Sequence, residues 1–196
     1  MIDMDFLEYC RKVRDRSISI GIPSIDEEEG FLIYSLTYMY SIMRKEKLYI
    51  IDAGAGIGYS TLWIVKALED SNCEQCLVEA IEIFPYYASK ILDTINEYGF
   101  RKVRTKALNI DAIEYVSKLD NECVDVAFVD IDKQRYPLML NILSSKIKDH
   151  GMIMFHNAIR PSPPKEFLDQ ATKPPWRSTI IPTSLGILLG FKIGRR

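Results

Sequence analysis

The feature that most constrains this chain is a glycine-rich loop between an apolar run and an amphipathic segment. The apolar run 48–52 ends in Asp52, the loop reads Ala-Gly-Ala-Gly-Ile-Gly, and Tyr59 and Ser60 then open a helical pattern that reaches Leu68. Glycines let a backbone turn sharply and approach a ligand closely, and the start of the next helix offers unpaired N–H groups. This order predicts a small-ligand site at the end of a buried strand.

The spacing of the glycines narrows the choice of ligand. A dinucleotide fingerprint, G-x-G-x-x-G, that starts at Gly54 requires glycine at position 59, where this chain has Tyr59. A phosphate-binding P-loop requires a lysine, which this loop lacks. The pattern D-x-G-x-G-x-G therefore disfavours a nicotinamide-dependent oxidoreductase and a nucleoside triphosphatase.

Apolar strands alternate with helical segments over most of the chain. We predict strands over 48–52, 76–83, 103–107, 124–130 and 152–156, and helices near 61–68, 86–98, 111–118 and 137–147. Such alternation is typical of a parallel sheet covered on both faces. An irregular, proline-rich segment, 160–175, precedes two strands, 177–181 and 186–193, that have no helix between them. The expected fold is therefore α/β: a Rossmann-like mixed sheet of seven strands, parallel with an antiparallel C-terminal hairpin and flanked by helices on both faces.

Two amphipathic segments precede the glycine loop. Residues 3–14 and 30–43 carry apolar side chains at helical spacing, and Ser24 with Glu27 three positions later matches an N-terminal capping box. The length suits one core. We expect a single domain over residues 1–196, with residues 1–45 as an N-terminal helical cap.

Charge and composition limit the class of partner. The formal net charge is −2 and the sequence pI is near 5.8, so no bulk positive charge favours nucleic acid or an anionic membrane. No apolar run approaches the ~20 residues that span a bilayer, and the first residues are acidic rather than signal-like. We therefore expect no membrane partner and a cytoplasmic location.

The cysteines offer weak evidence for a special site. Cys73 and Cys76 have the spacing of half a zinc site or of a redox pair, but no second pair of ligands is visible. Free cysteines near the start of a strand are the favoured interpretation, and a disulfide between the two stays open.

Four blocks of sequence, in order, resemble one family. Residues 52–61 (DAGAGIGYST) resemble the family pattern E-x-G-x-x-x-G-Y-S-T, and residues 80–85 (AIEIFP) resemble the end of that family's second strand. Residues 125–137 (DVAFVDIDKQRYP) resemble the pattern D-L-V-F-I-D-A-D-K-x-x-Y, and residues 151–157 (GMIMFHN) resemble the pattern G-G-x-x-x-x-D-N. These motifs are similar to those of class I S-adenosylmethionine (SAM) O-methyltransferases of the catechol and caffeoyl-CoA group. The resemblance covers the chain from about residue 23 onward, and Asp130, Lys133 and Tyr136 are its most specific part.

The resemblance implies a SAM site at the carboxyl ends of the strands. Glu82 is placed to accept hydrogen bonds from both ribose hydroxyls, while Asp52 would support the loop or act on the amino acid head of SAM through water. Asp111 and Ala112 match the pair that contacts adenine, and an equally open role for Asp111 is that of a helix N-cap. The residues implied to bind the cofactor are Asp52, Gly54, Gly56, Gly58, Tyr59, Ser60, Glu82, Ile83, Asp111, Ala112 and Asp130.

The resemblance also implies metal-assisted chemistry. In the family a divalent ion binds two vicinal hydroxyls and lowers their pKa, and a lysine takes the proton. Asp130 and Asn157 match the first and last metal ligands and Lys133 matches the base. A simple ion pair of Lys133 with Asp130 or Asp132 is the alternative.

The chain departs from the family at the middle ligand, where His156 replaces an aspartate. Three interpretations are open: a softer metal site of Asp130, His156 and Asn157 that favours Mn, Fe, Co or Zn over Mg, loss of the metal with His156 as general base, or an inert residue. The predicted catalytic residues are thus Lys133, Asp130 and His156.

The function expected from the resemblance is O-methylation of a small, catechol-like acceptor by a homodimer. We expect the acceptor under the loop 160–176, whose prolines and Trp176 would form a stiff apolar wall. One alternative is a tRNA or nucleoside O-methyltransferase that uses the basic residues of this region, Arg160, Lys165, Lys173 and Arg177. The other is a SAM-binding protein without catalysis.

Overall fold

The strands of this chain form one mixed sheet in the order β3-β2-β1-β4-β5-β7-β6 in a computed structural model that describes residues 2–194. They are β1 (Tyr49–Ala53), β2 (Leu77–Glu82), β3 (Arg104–Asn109), β4 (Val124–Val129), β5 (Ile147–Phe155), β6 (Trp176–Ile181) and β7 (Ile187–Lys192). Strands β1 to β5 pair in parallel, and β7 runs antiparallel to both β5 and β6. The predicted seven-stranded sheet with its C-terminal hairpin is confirmed.

Helices cover both faces of the sheet. They are α1 (Met4–Ser19), α2 (Glu27–Arg44), α3 (Tyr59–Asp70), α4 (Pro85–Tyr98), α5 (Ala112–Ser117), α6 (Tyr136–Lys146) and α7 (Lys165–Ala171), with a short 3-10 turn at Lys133–Arg135. Within residues 2–194, no helix has the length and apolar character needed to cross a membrane.

Two separate cores explain the continuous apolar strands. Ile50 packs with the helices α1 to α4, and its neighbour Ile51 packs with α5 to α7 on the other face. Side chains alternate between the faces of a strand, so a strand buried on both faces must be apolar throughout. Polar residues near the carboxyl ends of these strands, such as Asp52 on β1 and Glu82 on β2, therefore stand out in the sequence. They lie near one another at the same end of the sheet.

The start of α2 differs from the prediction. Asp26, not Ser24, is the N-cap, and Glu29 accepts a hydrogen bond from the backbone N–H of Asp26 at 3.0 Å. Residues 24–29 contain two pairs with capping-box spacing, and packing selects the second because it turns Glu29 into the protein.

Two boundaries near the C-terminus also differ. The segment predicted to be irregular contains α7, which begins directly after Pro164 and buries Phe167 and Ala171. A helix this short shows too few repeats for its periodicity to be visible in the sequence. Strand β5 begins at Ile147, immediately after α6, whereas the prediction began it at residue 152.

Cys73 and Cys76 form a disulfide, so the interpretation as free cysteines is wrong. Their Cα atoms lie 5.8 Å apart in the turn between α3 and β2. Gln75, between them, has a left-handed φ of 64°, which folds the chain back and brings the two side chains together. Residue spacing alone does not reveal such a backbone conformation.

Candidate active site

A cavity of about 690 Å³ lies at the carboxyl ends of the parallel strands. This volume is within the range of roughly 300–1,000 Å³ that is usual for small-molecule sites. Its wall combines the glycine loop, the ends of β2 and β4, the residue that follows β5, and the connection between α1 and α2. The residues that line the cavity include Gly21, Ile22, Pro23, Ser24, Gly54, Gly56, Glu82, Ile83, Asp111, Ala112, Asp130, Ile131, Lys133, Arg135, His156, Asn157 and Leu185.

Gly54 occupies a position that no other residue fits. Its φ is +88°, and a Cβ there would overlap the backbone carbonyl oxygen of Asp130. The loop after β1 can therefore lie directly against the end of β4. Gly58, with φ +97°, is the N-cap of α3 and lets the chain enter that helix.

Asp52 fastens the glycine loop to α3. Its carboxylate oxygen Oδ2 accepts hydrogen bonds from Ser60 Oγ at 2.8 Å and from Thr61 Oγ1 at 2.6 Å. Complete burial raises the pKa of Asp52 to about 6, and the two hydroxyl donors oppose that rise. Asp52, like Gly58, Tyr59 and Ser60, lies behind the loop and does not line the cavity.

Glu82 does line the cavity and is held on both carboxylate oxygens. It accepts one hydrogen bond from the N–H of Gly56 and one from the N–H of Phe84, each at 2.9 Å. The carboxylate therefore bridges the glycine loop and the end of its own strand. Asn109 secures this corner, since its side-chain amide donates to the backbone carbonyls of Glu82 and Ile83 at 2.9 Å.

Asp111 caps α5 and also forms an ion pair. It accepts from the N–H groups of Ile113 at 2.9 Å and Glu114 at 3.1 Å, and from the guanidinium of Arg135 at 2.6 and 3.0 Å. The Arg135 hydrogen bonds hold the pKa of Asp111 below its usual value. The N-cap role left open by the sequence is therefore real, and Ala112 beside it forms part of the cavity wall. Arg135 was not predicted as a site residue.

Asp130 lies between two cationic side chains at the end of β4. Lys133 Nζ donates to its Oδ1 at 2.8 Å, and His156 Nδ1 lies 3.1 Å from its Oδ2. Burial alone would raise the pKa of Asp130, but the hydrogen bonds and charges of His156 and Lys133 hold it below its usual value. The predicted catalytic residues Lys133, Asp130 and His156 are thus adjacent, with the ion pair of Lys133 and Asp130 formed.

His156 makes a second contact that the sequence did not indicate. Its Nε2 lies 2.9 Å from Oε2 of Glu29, on α2, and both side chains are almost completely buried. Burial would lower the pKa of His156, but the two carboxylates outweigh that effect and raise it to about 9. Glu29 is spaced with the buried positions Ile33 and Thr37, so an acid on the apolar face of α2 was the available signal.

The predicted metal ligands do not fit a metal ion. A histidine binds a metal through an unprotonated ring nitrogen, and here both ring nitrogens of His156 face carboxylate oxygens. The side-chain amide of Asn157 donates to the backbone carbonyl of Arg160 at 2.6 Å. Within the described part of the chain there is no cluster of three or more His, Cys, Asp or Glu side chains arranged to hold a metal.

The wall of the cavity differs from the one we expected. No residue from 160 to 176 lines it, and Trp176 is buried beside α7 instead. The apolar wall comes from Ile22 and Pro23, between α1 and α2, and from Leu185, between β6 and β7.

The chain is similar to curated proteins named as O-methyltransferases. No family model matches the chain. A protein of Mycobacterium ulcerans named "Putative O-methyltransferase" is 24% identical over 148 residues, which is 76% of this chain and 62% of that protein. A protein of the same name from Mycobacterium avium is 26% identical over 74% of this chain and 61% of its own length. The chain therefore spans less than two thirds of the curated relatives it matches.

Solved structures share nearly the whole fold. A methyltransferase from Geobacter sulfurreducens superposes with a TM-score of 0.80, 17% identity, and coverage of 99% of this chain and 91% of that one. The O-methyltransferase from Bacillus cereus, solved in complex with SAH, gives a TM-score of 0.78, 17% identity, and coverage of 98% and 92%.

The fold and the strand-end cavity thus define the class I methyltransferase architecture. The solved structures share this fold, and the relatives named O-methyltransferase support the family that the motifs resemble, the class I O-methyltransferases.

Proposed function

We propose that this chain transfers a methyl group from SAM to a hydroxyl oxygen of a small acceptor. The observation that carries the proposal is Glu82, a buried carboxylate at the end of β2 that lines the cavity and faces the glycine loop. A carboxylate in this position suits the two hydroxyls of a ribose. SAM or its product SAH is bound in the structures of TomG from Streptomyces achromogenes and of the Bacillus cereus enzyme.

The cavity residues fit the parts of SAM. Gly54 leaves no side chain between the loop and the end of β4, so the backbone can approach the cofactor. Ile83 and Ala112 offer apolar contact for adenine, and Glu82 offers acceptors for the ribose. When bound, SAM supplies an electrophilic methyl group, which an acceptor oxygen takes up as the carbon–sulfur bond breaks and SAH is left.

The chain's own contribution at the acceptor end is orientation and proton handling. Lys133 Nζ is held at the cavity wall by its hydrogen bond to Asp130, where we infer that it contacts the acceptor hydroxyl, whose proton leaves as the methyl group arrives. Holding reactants in line accounts for ~7–11 kcal/mol in well-oriented intramolecular reactions. The apolar residues Ile22, Pro23 and Leu185 suit a planar, aromatic acceptor of the catechol-like kind. We assign no step to a metal, because the donor set does not fit one.

Calorimetry with SAM and SAH tests the cofactor assignment. We expect both to bind, and Glu82→Ala to weaken binding by roughly 10- to 100-fold, because a charge-assisted hydrogen bond is worth about 1.5–3 kcal/mol. Glu74→Gln, at an exposed position in the turn before β2, is the matched control and should leave affinity unchanged. Wild-type protein that binds neither compound would overturn the proposal.

A second measurement addresses the acceptor. Protein and SAM carrying a labelled methyl group are incubated with phenols, catechols and nucleosides, and products are identified by mass. Labelled phenols or catechols support the proposal. Label found only in nucleosides would favour the tRNA or nucleoside alternative, and SAM binding without any product would favour the non-catalytic one. The homodimer that the family resemblance implies remains a prediction, which light scattering would test.

A further inference from the structure

We propose that the cationic side chain of His156 replaces a divalent metal in this site. The ring joins Asp130 to Glu29 and thereby positions Asp130 and Lys133. Methyl transfer then needs neither a metal nor a vicinal diol. This inference rests on the proposed function for its catalytic consequence. Its structural part, a built-in cation between two carboxylates, can be tested without any turnover.

The contacts of the imidazole ring require positive charge. Nδ1 lies 3.1 Å from Asp130 and Nε2 lies 2.9 Å from Glu29. Carboxylate oxygens accept hydrogen bonds, and a neutral imidazole has only one N–H to donate. The buried carboxylate of Glu29 and the partly buried carboxylate of Asp130, next to the same ring, would repel one another and stay poorly solvated unless a cation lies between them.

Glu29 is held in place by groups other than His156. Its Oε1 accepts from Thr183 Oγ1 at 2.7 Å, and its Oε2 accepts from the N–H of Asp26 at 3.0 Å. Thr183 in turn accepts from the N–H of Gly186 at 3.0 Å. The first turn of α2 and the connection between β6 and β7 therefore hold the Glu29 carboxylate in place independently of His156.

His156 is equally fixed on its own side. Its backbone N–H donates to the carbonyl of Val129 at 3.0 Å, and its carbonyl accepts from the hydroxyl of Tyr136 at 2.9 Å. These bonds fix the backbone of His156, and the ring is held by its contacts with Asp130 and Glu29. Because the other oxygen of Asp130 holds Lys133, three successive ion pairs connect Glu29 to the lysine at the cavity wall.

This arrangement has a consequence for the acceptor class. A metal with open coordination positions can bind two adjacent hydroxyls, whereas an imidazolium whose two N–H groups are both engaged has nothing left to bind a second oxygen. The acceptor therefore needs a single hydroxyl. A monohydroxylated phenol should be methylated as readily as the corresponding catechol.

Two measurements on SAM-saturated protein test the proposal directly. The protein is treated with EDTA, the EDTA is removed, and Mn²⁺ is titrated in a calorimeter. We expect no heat from binding of Mn²⁺ to a specific site. NMR of the protein labelled with ¹⁵N at histidine should show both ring nitrogens of His156 protonated at pH 7. The chain has two histidines, so His150→Gln assigns the signals and serves as the matched control. In Glu29→Gln the ring should lose this doubly protonated signature.

Substitutions extend the test. His156→Asp places a third carboxylate beside Asp130 and Glu29, and we expect it to gain Mn²⁺ binding that wild type lacks. Glu29→Gln should lower kcat by roughly 10- to 100-fold, the range found when a residue that orients a ligand side chain of a metal site is removed. SAM affinity should change little. If His156→Asp does not fold, the wild-type titration and the NMR signature still decide.

The opposing outcomes are distinct from failure of the proposed function. Mn²⁺ binding to wild type that is lost in Asp130→Ala, or a neutral His156 ring, overturns the built-in cation but leaves a methyltransferase. Rejection of monohydroxylated phenols with acceptance of catechols overturns the inferred acceptor class. Absence of SAM binding overturns the proposed function, and the Mn²⁺ and NMR results can then be repeated on the protein alone.

Discussion

Glu29 and His156 are hydrogen-bonded at 2.9 Å although 127 positions separate them along the chain. The bond joins the first turn of α2 to the end of β5, so the helical segment before the glycine loop contributes a buried charge to the site. It follows that this segment does more than cover the sheet, since the site loses one of its two carboxylates on His156 without it.

The pH dependence of stability should reflect this bond. The ring of His156 faces Asp130 and Glu29, with Lys133 on the far oxygen of Asp130, and its pKa is raised from 6.5 to about 9. A raised pKa means that the folded state binds the proton more tightly, so the stabilisation is complete below pH ~6.5 and is lost as pH rises through about 9. We expect the free energy of unfolding to fall by ~2–3 kcal/mol over that window.

Urea denaturation at intervals of pH measures this decline. His156→Gln should be less stable than wild type at pH 6 and should lack the decline, while His150→Gln should keep it. A wild-type curve that is flat from pH 6.5 to 9 would contradict the assignment.

Replacing Gly54 should be far more costly than replacing another glycine of the same conformation. Gly54→Ala combines a φ of +88° with overlap of Asp130, whereas Gly99→Ala has a φ of +90° and nothing within 4 Å of the new Cβ. We expect Gly99→Ala to lose ~1 kcal/mol and Gly54→Ala ~2–4 kcal/mol, with SAM binding also lost. Thermal unfolding and SAM calorimetry on both variants measure the difference. Equal losses would mean that the contact with Asp130 is unimportant.

Lys133 should affect turnover without affecting cofactor binding. Lys133→Gln removes the group that we propose handles the acceptor proton, and general acid–base residues typically contribute ~10²–10⁴-fold to rate. We expect a fall of that order in kcat with unchanged SAM affinity, measured by product formation and calorimetry. Lys165→Gln, at an exposed position of α7, should retain full activity. A Lys133→Gln variant as active as wild type would assign the proton elsewhere.

Thr183 should stabilise the site through Glu29. Thr183→Val keeps the shape of the side chain but removes its hydroxyl, which donates to Glu29 at 2.7 Å and accepts from Gly186 at 3.0 Å. Leaving buried Glu29 with one donor fewer should cost ~1–3 kcal/mol. Thr172→Val, whose hydroxyl donates to the exposed end of α7, should change the free energy of unfolding by less than ~0.5 kcal/mol. Chemical denaturation of the two variants compares them.

The sequence predicts the sheet well because its signal is local. Strands buried on both faces must be continuously apolar, and their ends are marked by acids such as Asp52 and Glu82. The strand-end positions of Asp130 and His156 were predicted in the same way and the two side chains are adjacent, whereas Lys133 was implied by the family resemblance. The glycine loop was likewise visible because a positive φ and a close backbone approach both demand glycine.

What the sequence missed depends on contacts between distant segments. The predicted capping box was Ser24 with Glu27 and did not include Glu29, and only the packing of α2 against the end of β5 brings Glu29 to His156. The ion pair of Arg135 with Asp111 likewise depends on how the turn before α6 meets α5. Such pairings follow from the tertiary arrangement, for which no local pattern exists.

The short connection 21–24 has an evolutionary consequence. It forms one wall of the cavity, and the helices on either side are clamped together by Arg14 with Asp26 and by Arg11 with Glu27. Exchange of residues in this strap would alter the shape presented to the acceptor without disturbing the sheet, the glycine loop or the charges around His156. Under the proposed function, new acceptor preferences can therefore arise from a few substitutions among four residues that are exposed or half-buried.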